Sequence, residues 1–175
     1  MSALSVRKHG DDRLGTCLSH IMSLTSSLKL YCADFDGRLP QASYWPAPLG
    51  PYVENAHAFT CPEVKTTRLA FALNSRLAAS SLSSVVQPGE VVLVFERSLG
   101  WNPVGGRETL PDEPRHLGRD TYGFVDGHAR YVPRKRLPDG TWAKEPAREG
   151  VIWEPVLKGS DVGETGTSSG STASE

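Results

Sequence analysis

The sequence has no excess of charge of either sign, and this absence excludes several classes of protein. Its 175 residues include 19 Lys or Arg and 20 Asp or Glu, which gives a formal net charge of -1. No long basic or acidic block disturbs this balance, so there is no electrostatic basis for binding nucleic acid or an anionic membrane surface. The chain is long enough to bury a core of its own as one domain.

The motifs of common catalytic sites are also absent. No Gly-x-Ser-x-Gly segment occurs, and the Gly105-Gly106 pair lacks the Lys-Ser or Lys-Thr of a phosphate-binding loop. No EF-hand pattern is present. The basic run at 134–136 is short and typical of a solvated strand end. We therefore expect that the protein is not an enzyme.

Cysteine is scarce, and none of the three cysteines lies in a Cys-x-x-Cys pair, which excludes zinc-ribbon spacing. An odd number allows at most one disulfide within the chain. In an oxidising compartment Cys17 or Cys32 could pair with Cys61, and a Cys17–Cys61 disulfide is one of two interpretations that stay open. The other is that the two helix cysteines are small buried apolar residues, which we favour for Cys32.

A long apolar run is missing as well. Residues 1–13 carry charges of both signs with no apolar segment after them, which is unlike a signal peptide. Residues 14–30 are too polar and too short to span a bilayer comfortably. We expect residues 1–13 to be disordered or to be the truncated remnant of an N-terminal anchor, and the chain as written to be soluble.

One amphipathic helix is predicted from Leu14 to Phe35, because apolar residues recur there at helical spacing. An aspartate at 11 or 12 could cap its start. Asp36-Gly37, followed by Pro40, should end it, since glycine readily adopts the left-handed cap conformation and proline cannot continue a helix.

Four segments are predicted to form a small antiparallel sheet, and they lie at 68–73, 91–96, 121–126 and 128–133. Residues 91–95 are apolar on both faces, which indicates a central strand. Asp126-Gly127 predicts a hairpin with a two-residue type I′ turn, and a continuous strand with a bulge at Gly127 is the alternative. Residues 151–153 could add a last edge strand.

The predicted fold class is α+β, with the long N-terminal helix packed on the small antiparallel sheet. This folded domain would cover residues 14–157. Residues 158–175 are almost free of apolar side chains and are predicted to be disordered, because they cannot bury enough area to offset their ordering entropy.

Four stretches of the sequence, in order, resemble a known family. His116, nine intervening residues and then Asp126-Gly127-His128 resemble the C-terminal signature of pilin-like proteins related to type II secretion pseudopilins. Residues 17–40 resemble the end of the family's spine helix, residues 45–63 resemble the segment after it, and residues 88–96 complete the resemblance. The N-terminus departs from the family, which carries there a prepilin cleavage site and a long apolar helix.

The resemblance implies a pseudopilin-like head and a non-catalytic structural or secretion-associated function, in which the head is presented for assembly or protein interaction. It implies that the partners are other pilin-like subunits or secretion and envelope proteins, with no nucleic acid, and with a membrane only through an anchor missing from this chain. It places the protein in the cell envelope, outside the cytoplasm. A chain that truly starts at Met1 without an anchor would be cytoplasmic.

The signature residues of this family are expected to be structural. His116 would hydrogen-bond to the backbone or to a carboxylate near the hairpin, and Asp126-Gly127 would set the turn before His128. These residues and Asp120 also place two imidazoles and two carboxylates close together in sequence. The alternative function is therefore a small metal-dependent enzyme or metal-binding domain that uses the His116–His128 cluster.

Spacing alone does not establish the geometry of a metal site, so we favour the structural interpretation and expect no cofactor. Calcium is the one ion that the resemblance suggests, since some pseudopilins are known for a calcium site. Asp120 and Asp126, with Asp112 or Glu113 of the same loop, would supply oxygen ligands for it.

Overall fold

The structure is a computed structural model that describes residues 3–64, 69–98, 103–146 and 149–159. For residues 3–11 it describes the course of the helix alone. Of the tail predicted to be disordered, 158–175, residues 160–175 lie outside the described residues, as does residue 68 of the first predicted strand. The amide of Lys158 donates to the carbonyl of Ser84 (2.7 Å).

One long helix and six strands form the described chain. Helix α1 spans Ala3–Asp34 and the short helix α2 spans Pro46–Leu49. The strands are β1 (Phe71–Asn74), β2 (Val92–Glu96), β3 (Val104–Gly105), β4 (Arg119–Phe124), β5 (Ala129–Arg136) and β6 (Trp142–Pro146). Short 3-10 turns lie at 42–44, 50–52, 56–59, 75–77, 82–84 and 107–109.

The strands form one curled, mixed sheet in the order β3-β1-β2-β4-β5-β6. Strand β3 pairs with β1 in parallel, and the other neighbours are antiparallel. The predicted fold class, α+β with a small antiparallel sheet, is therefore wrong. The sheet has six strands, and the chain crosses back after β2 to place β3 beside β1.

The prediction of an edge strand at 151–153 is also wrong. Ile152 makes an isolated parallel bridge to Val91, and its backbone amide donates to the carbonyl of Glu90 (2.8 Å). The edge of the sheet is β6 instead. Strand β2 lies between β1 and β4, so its prediction as a central strand is confirmed.

Helix α1 packs its apolar stripe on the sheet. Ile21, Leu24 and Leu28 are fully buried, and the helix packs on β2, β4 and β5. Gly123 of β4 permits this close approach, because a Cβ atom there would lie 2.6 Å from Cγ2 of Ile21. The helix begins at Ala3, earlier than the predicted Leu14, and Gly37 follows its end with a positive φ of 76°.

The opposite face of the sheet is covered by Trp153. Its ring makes edge-to-face contacts with Phe95 and Tyr122, at centroid distances of 4.8 and 5.5 Å. The sheet is therefore buried on both faces near β2 and β4, and charged groups placed there are removed from water. None of the helices among the described residues combines the length and the apolar composition of a membrane span.

Candidate functional site

Four side chains from distant parts of the sequence meet under α1. They are Cys17 on α1, Cys61 in the turn after residue 60, Glu96 at the end of β2, and His116 just before β4. One ligand atom from each of the four lies within 4.8 Å of every other, and all four residues are buried. We call this group the Cys-Glu-His cluster.

The local backbone structure positions each side chain of the Cys-Glu-His cluster. Cys17 belongs to the buried stripe of α1, and Glu96 follows the apolar run of β2. Cys61 opens a turn that is closed by the amide of Val64, which donates to the Cys61 carbonyl (2.9 Å). Such a turn exposes backbone N–H groups on the inside of the bend, close to the cysteine sulfur.

His116 is held by a tight hairpin turn at residues 117–118. Its backbone exchanges two hydrogen bonds with Arg119, at 3.3 and 3.1 Å, and the residues between them, Leu117 and Gly118, have φ values of 53° and 83°. Positive φ at both central residues is the requirement of a type I′ turn. The sequence predicted such a turn at Asp126-Gly127, and the structure has it nine residues earlier, at Leu117-Gly118.

The imidazole of His116 connects the two halves of the cluster. Its Nε2–H donates to Oε1 of Glu96 (2.7 Å) and lies 3.5 Å from Sγ of Cys61. Sγ of Cys61 is 3.8 Å from the same carboxylate oxygen and 2.9 Å from Sγ of Cys17. The amide of Thr121 donates to Oε2 of Glu96 (3.3 Å), which turns Oε1 toward the sulfurs.

The cluster favours a thiolate at Cys61 and an imidazolium at His116. The hydrogen bond from the Cys17 thiol is the main cause that lowers the pKa of Cys61, to about 6, and His116 and the amide of Glu63 act in the same direction against burial. Burial lowers the pKa of His116, but its bonds to Cys61 and Glu96 outweigh this effect and raise the pKa to about 10. The bond to Cys61 and burial raise the pKa of Cys17.

Cys17 and Cys61, the pair considered for a disulfide, lie side by side, but both thiols are free. Their sulfurs are 2.9 Å apart, compared with the roughly 2.05 Å of a disulfide bond. Cys32 is a buried apolar-type residue in the core, and burial raises its pKa to about 11.

Asp126, Gly127 and His128 lie at the opposite end of β4 from His116. The amide of Gly127 donates to the carbonyl of Phe124 (2.9 Å), and the amide of Phe124 donates to the carbonyl of His128 (2.9 Å). Gly127 has a φ of 104°, whereas Asp126 is not among the residues with positive φ. This is a three-residue hairpin loop with glycine in its last position, and the two-residue turn predicted there is wrong.

His128 does not join His116. Its ring stacks on Phe124 with a centroid distance of 4.5 Å, and its Nδ1 hydrogen-bonds to Oδ1 of Asp126 (2.6 Å) on the surface. The residues from Arg119 to Phe124 are extended, and they separate the two imidazoles by roughly 16 Å of strand. A metal site shared by His116 and His128 is therefore excluded by the geometry.

Asp120 and Asp126 are also separated. Asp120 is fully buried and its Oδ2 lies 2.6 Å from Nε of Arg134, while Asp126 is exposed at the hairpin. Between Asp120 and Phe124 alone the strand rises roughly 13 Å, so the two carboxylates cannot bind one calcium ion. Arg134 was predicted to lie at a solvated strand end, and its burial corrects that prediction.

Glu96 is the member of the cluster that sequence reasoning missed. A carboxylate at the end of an apolar strand is usually a solvated residue, and its spacing from His116 matches no known motif. The signal available was its position directly after a run that is apolar on both faces, since such a strand is covered on both sides.

The cluster is closed to solvent. Three surface cavities lie elsewhere, beside Trp142, beside Lys29 and beside Leu18. Cys61 is 2% exposed and the side chains of Glu96 and His116 are fully buried. The chemistry available to the cluster is therefore proton sharing, disulfide formation or binding of a small ion, and not attack on a large substrate.

No protein-family model matches the chain, and no curated protein or solved structure was found to be similar to it.

Replacing Gly127 by valine is expected to lower the free energy of unfolding by about 1–3 kcal/mol, because a β-branched residue is strained at φ 104°. The added Cβ would also lie 3.0 Å from Nζ of Lys29, which donates to the Asp126 carbonyl (2.7 Å). Denaturant unfolding would measure the loss. Gly15→Val is the control, since open space surrounds Gly15 in the helix. Equal stability of the two variants would contradict this role of Gly127.

Proposed function

We propose that the protein is a non-catalytic structural or secretion-associated subunit that assembles through the exposed face of α1. The observation that carries this proposal is the presence of large apolar side chains on the solvent side of a helix whose other side is already fully buried. The same proposal places the protein in the cell envelope among pilin-like subunits, in accordance with the signature that ends at His128.

The exposed face of α1 is defined by Met22, Ser26 and Leu30, which follow one another at intervals of four residues. Met22 is 48% exposed and Leu30 is 57% exposed. Single exposed apolar residues are normal on a protein surface. Residues four apart lie on the same face of a helix. Met22 and Leu30 therefore form the two ends of one apolar strip that a partner could cover.

Small residues flank the strip and leave room for a second helix. Gly15 and Ser19 are exposed on the same side, and a Cβ at Gly15 would meet no atom within 4 Å. Phe35, at the end of the helix, is 49% exposed and stacks on Tyr31. The occupant that fits this surface is the helix of a second copy of the chain.

Within the part of the chain that the structure describes, the candidate nucleophile and base are out of reach of a substrate, which supports a non-catalytic function. Cys61 and His116 have the residue types of a nucleophile and its base, but both are buried in the core beneath α1. A substrate must reach the nucleophile, and a site for the reacting atom must exist beside it. The four groups of the cluster fill the space around each other instead.

The assembly proposal predicts that a Met22→Glu/Leu30→Glu double variant self-associates about 100-fold more weakly than the parent chain. Burial of the two side chains should contribute about 3 kcal/mol or more, which corresponds to that factor in Kd. Sedimentation velocity over a range of protein concentrations measures the effect.

The matched control is Val156→Glu, because Val156 is 65% exposed and belongs to the segment whose backbone pairs with Val86 rather than to α1. We expect the control to associate like the parent. A parent chain that stays monomeric at every concentration, or a double variant that associates like the parent, would refute assembly through this face.

A further inference from the structure

We propose that Cys17, Cys61, Glu96 and His116 form a buried binding site for one divalent transition-metal ion, with Zn²⁺ as the ion that fits best. The inference is independent of assembly through α1, because the cluster lies on the opposite side of the helix. It also replaces the metal site predicted between His116 and His128.

The types of ligand suit zinc. Thiolate sulfur, imidazole nitrogen and carboxylate oxygen are the three ligands that bind Zn²⁺ in proteins, and four ligands of these types complete a tetrahedral structural site. Calcium and magnesium prefer oxygen ligands, which only Glu96 supplies here. Two thiolates and one carboxylate neutralise the two positive charges of the ion and leave one negative charge in excess.

The spacing is close to that of a tetrahedron. With bonds of about 2.0–2.3 Å, the edges between ligand atoms are about 3.3–3.8 Å long. Cys61 Sγ already lies 3.5 Å from His116 Nε2 and 3.8 Å from Glu96 Oε1. The two remaining close pairs, Cys17–Cys61 at 2.9 Å and His116–Glu96 at 2.7 Å, need to separate by less than about 1 Å.

Surrounding groups already hold two of the ligands in the form that a metal needs. A backbone hydrogen bond from Glu63 favours the thiolate of Cys61. The Thr121 amide binds Oε2 of Glu96 and leaves Oε1 free to face the ion. Such outer partners orient metal ligands and strengthen binding.

Metal binding has a simple proton balance. Thiolate sulfur and neutral imidazole nitrogen are the forms that bind a metal, so protons held on these groups leave as the ion binds, and affinity should rise with pH. The hydrogen bonds that now join the four side chains to each other are exchanged for bonds to the metal.

The first test is titration of the reduced, full-length chain with Co²⁺, followed by displacement with Zn²⁺. We expect one equivalent of Co²⁺ to bind, with thiolate-to-cobalt charge-transfer absorption and the strong visible bands of a tetrahedral site. Cys61→Ser should lose most of the charge-transfer absorption. Glu96→Gln should bind Co²⁺ at least about tenfold more weakly than the parent. Cys32→Ser is the matched control and should behave like the parent, because Cys32 is buried outside the cluster.

A second measurement needs no variant and remains decisive if Cys61→Ser does not fold. X-ray absorption of the zinc-loaded parent should show two sulfur ligands at about 2.3 Å and two nitrogen or oxygen ligands at about 2.0–2.1 Å. The proposal is overturned if the reduced chain takes up no metal, if the bound metal has no sulfur ligands, or if Cys32→Ser removes the thiolate signal. A Cys17–Cys61 disulfide that forms in air, resists reductant and leaves the chain unable to bind metal would also overturn it.

Discussion

Replacing Leu24 by aspartate is expected to abolish cooperative unfolding. Leu24 is fully buried between α1 and the sheet, near the middle of the stripe formed with Ile21 and Leu28. The substitution removes about 1.5–3 kcal/mol of apolar burial and introduces a carboxylate whose burial costs several kcal/mol more. Domains of this size are stable by about 5–15 kcal/mol in total, so the sum removes most of the margin.

Thermal unfolding followed by circular dichroism measures this effect. Ser26→Asp is the matched control, because Ser26 lies on the same helix with its side chain toward solvent. We expect the control to keep a sharp transition near that of the parent. A sharp, parent-like transition in Leu24→Asp would show that α1 does not form part of the core.

The parts of the fold that could be predicted are those in which burial leaves a period in the sequence. The stripe from Leu14 to Leu28 repeats at helical spacing because one side of α1 faces the sheet. Strand β2 has apolar residues on both faces because α1 covers one face and Trp153 covers the other.

The mixed sheet could not be predicted, because its parallel pair depends on a very short strand. Strand β3 contains Val104 and Gly105 alone, which is too few residues to show any alternation. Its position beside β1 is decided by the path of the chain after β2, and no local preference encodes that path. Two backbone contacts, Leu73 with Val104 and Asn74 with Gly105, change the class of the sheet.

The turns show why local rules placed the hairpin wrongly. Asp-Gly is the favoured pair for a type I′ turn, yet Asp126 uses its side chain to accept from the amide of His128 (3.0 Å) and the loop becomes three residues long. Leu117-Gly118 forms the type I′ turn although leucine disfavours positive φ. Burial of the neighbouring His116 in the cluster supplies a tertiary reason for that turn.

The candidate site could be predicted only in part for a similar reason. A Cys17–Cys61 pair was one of two interpretations open from the sequence, and His116 was singled out from the signature, but nothing in their spacing joined the three. Glu96 completes the cluster because β2 ends under α1, which is a property of the packing. Acidic side chains such as that of Glu96 are rarely buried, so a glutamate in a sequence is usually interpreted as exposed to solvent.

Replacing Arg134 by methionine is expected to cost about 3–5 kcal/mol at pH 8 and clearly less at pH 5. Arg134 and Asp120 form an ion pair whose side chains are both fully buried, and Nη2 of Arg134 also donates to the carbonyl of Pro111 (2.7 Å). Removing one partner leaves a buried carboxylate without its counter-charge, which is the costly way to break such a pair.

The pH dependence of this loss of stability follows from the direction in which the pKa of Asp120 is shifted. Burial already raises the pKa of this carboxyl to about 7, with Arg134 acting in the opposite direction. Without Arg134 the folded-state pKa rises further above the unfolded value, so the folded chain holds a proton that the unfolded chain has lost. Stability is then lost as the pH rises from about 4 through the folded-state pKa, and the variant should be weakest at pH 8.

Urea unfolding of parent and variant at both pH values measures the two costs. Arg76→Met is the matched control, because Arg76 pairs with Glu154 on the surface with exposed side chains on both partners. The control should lose less than about 1 kcal/mol at either pH. If Arg134→Met costs no more than the control at pH 8, or costs more at pH 5 than at pH 8, Asp120 and Arg134 do not form the buried charge pair that joins β4 to β5.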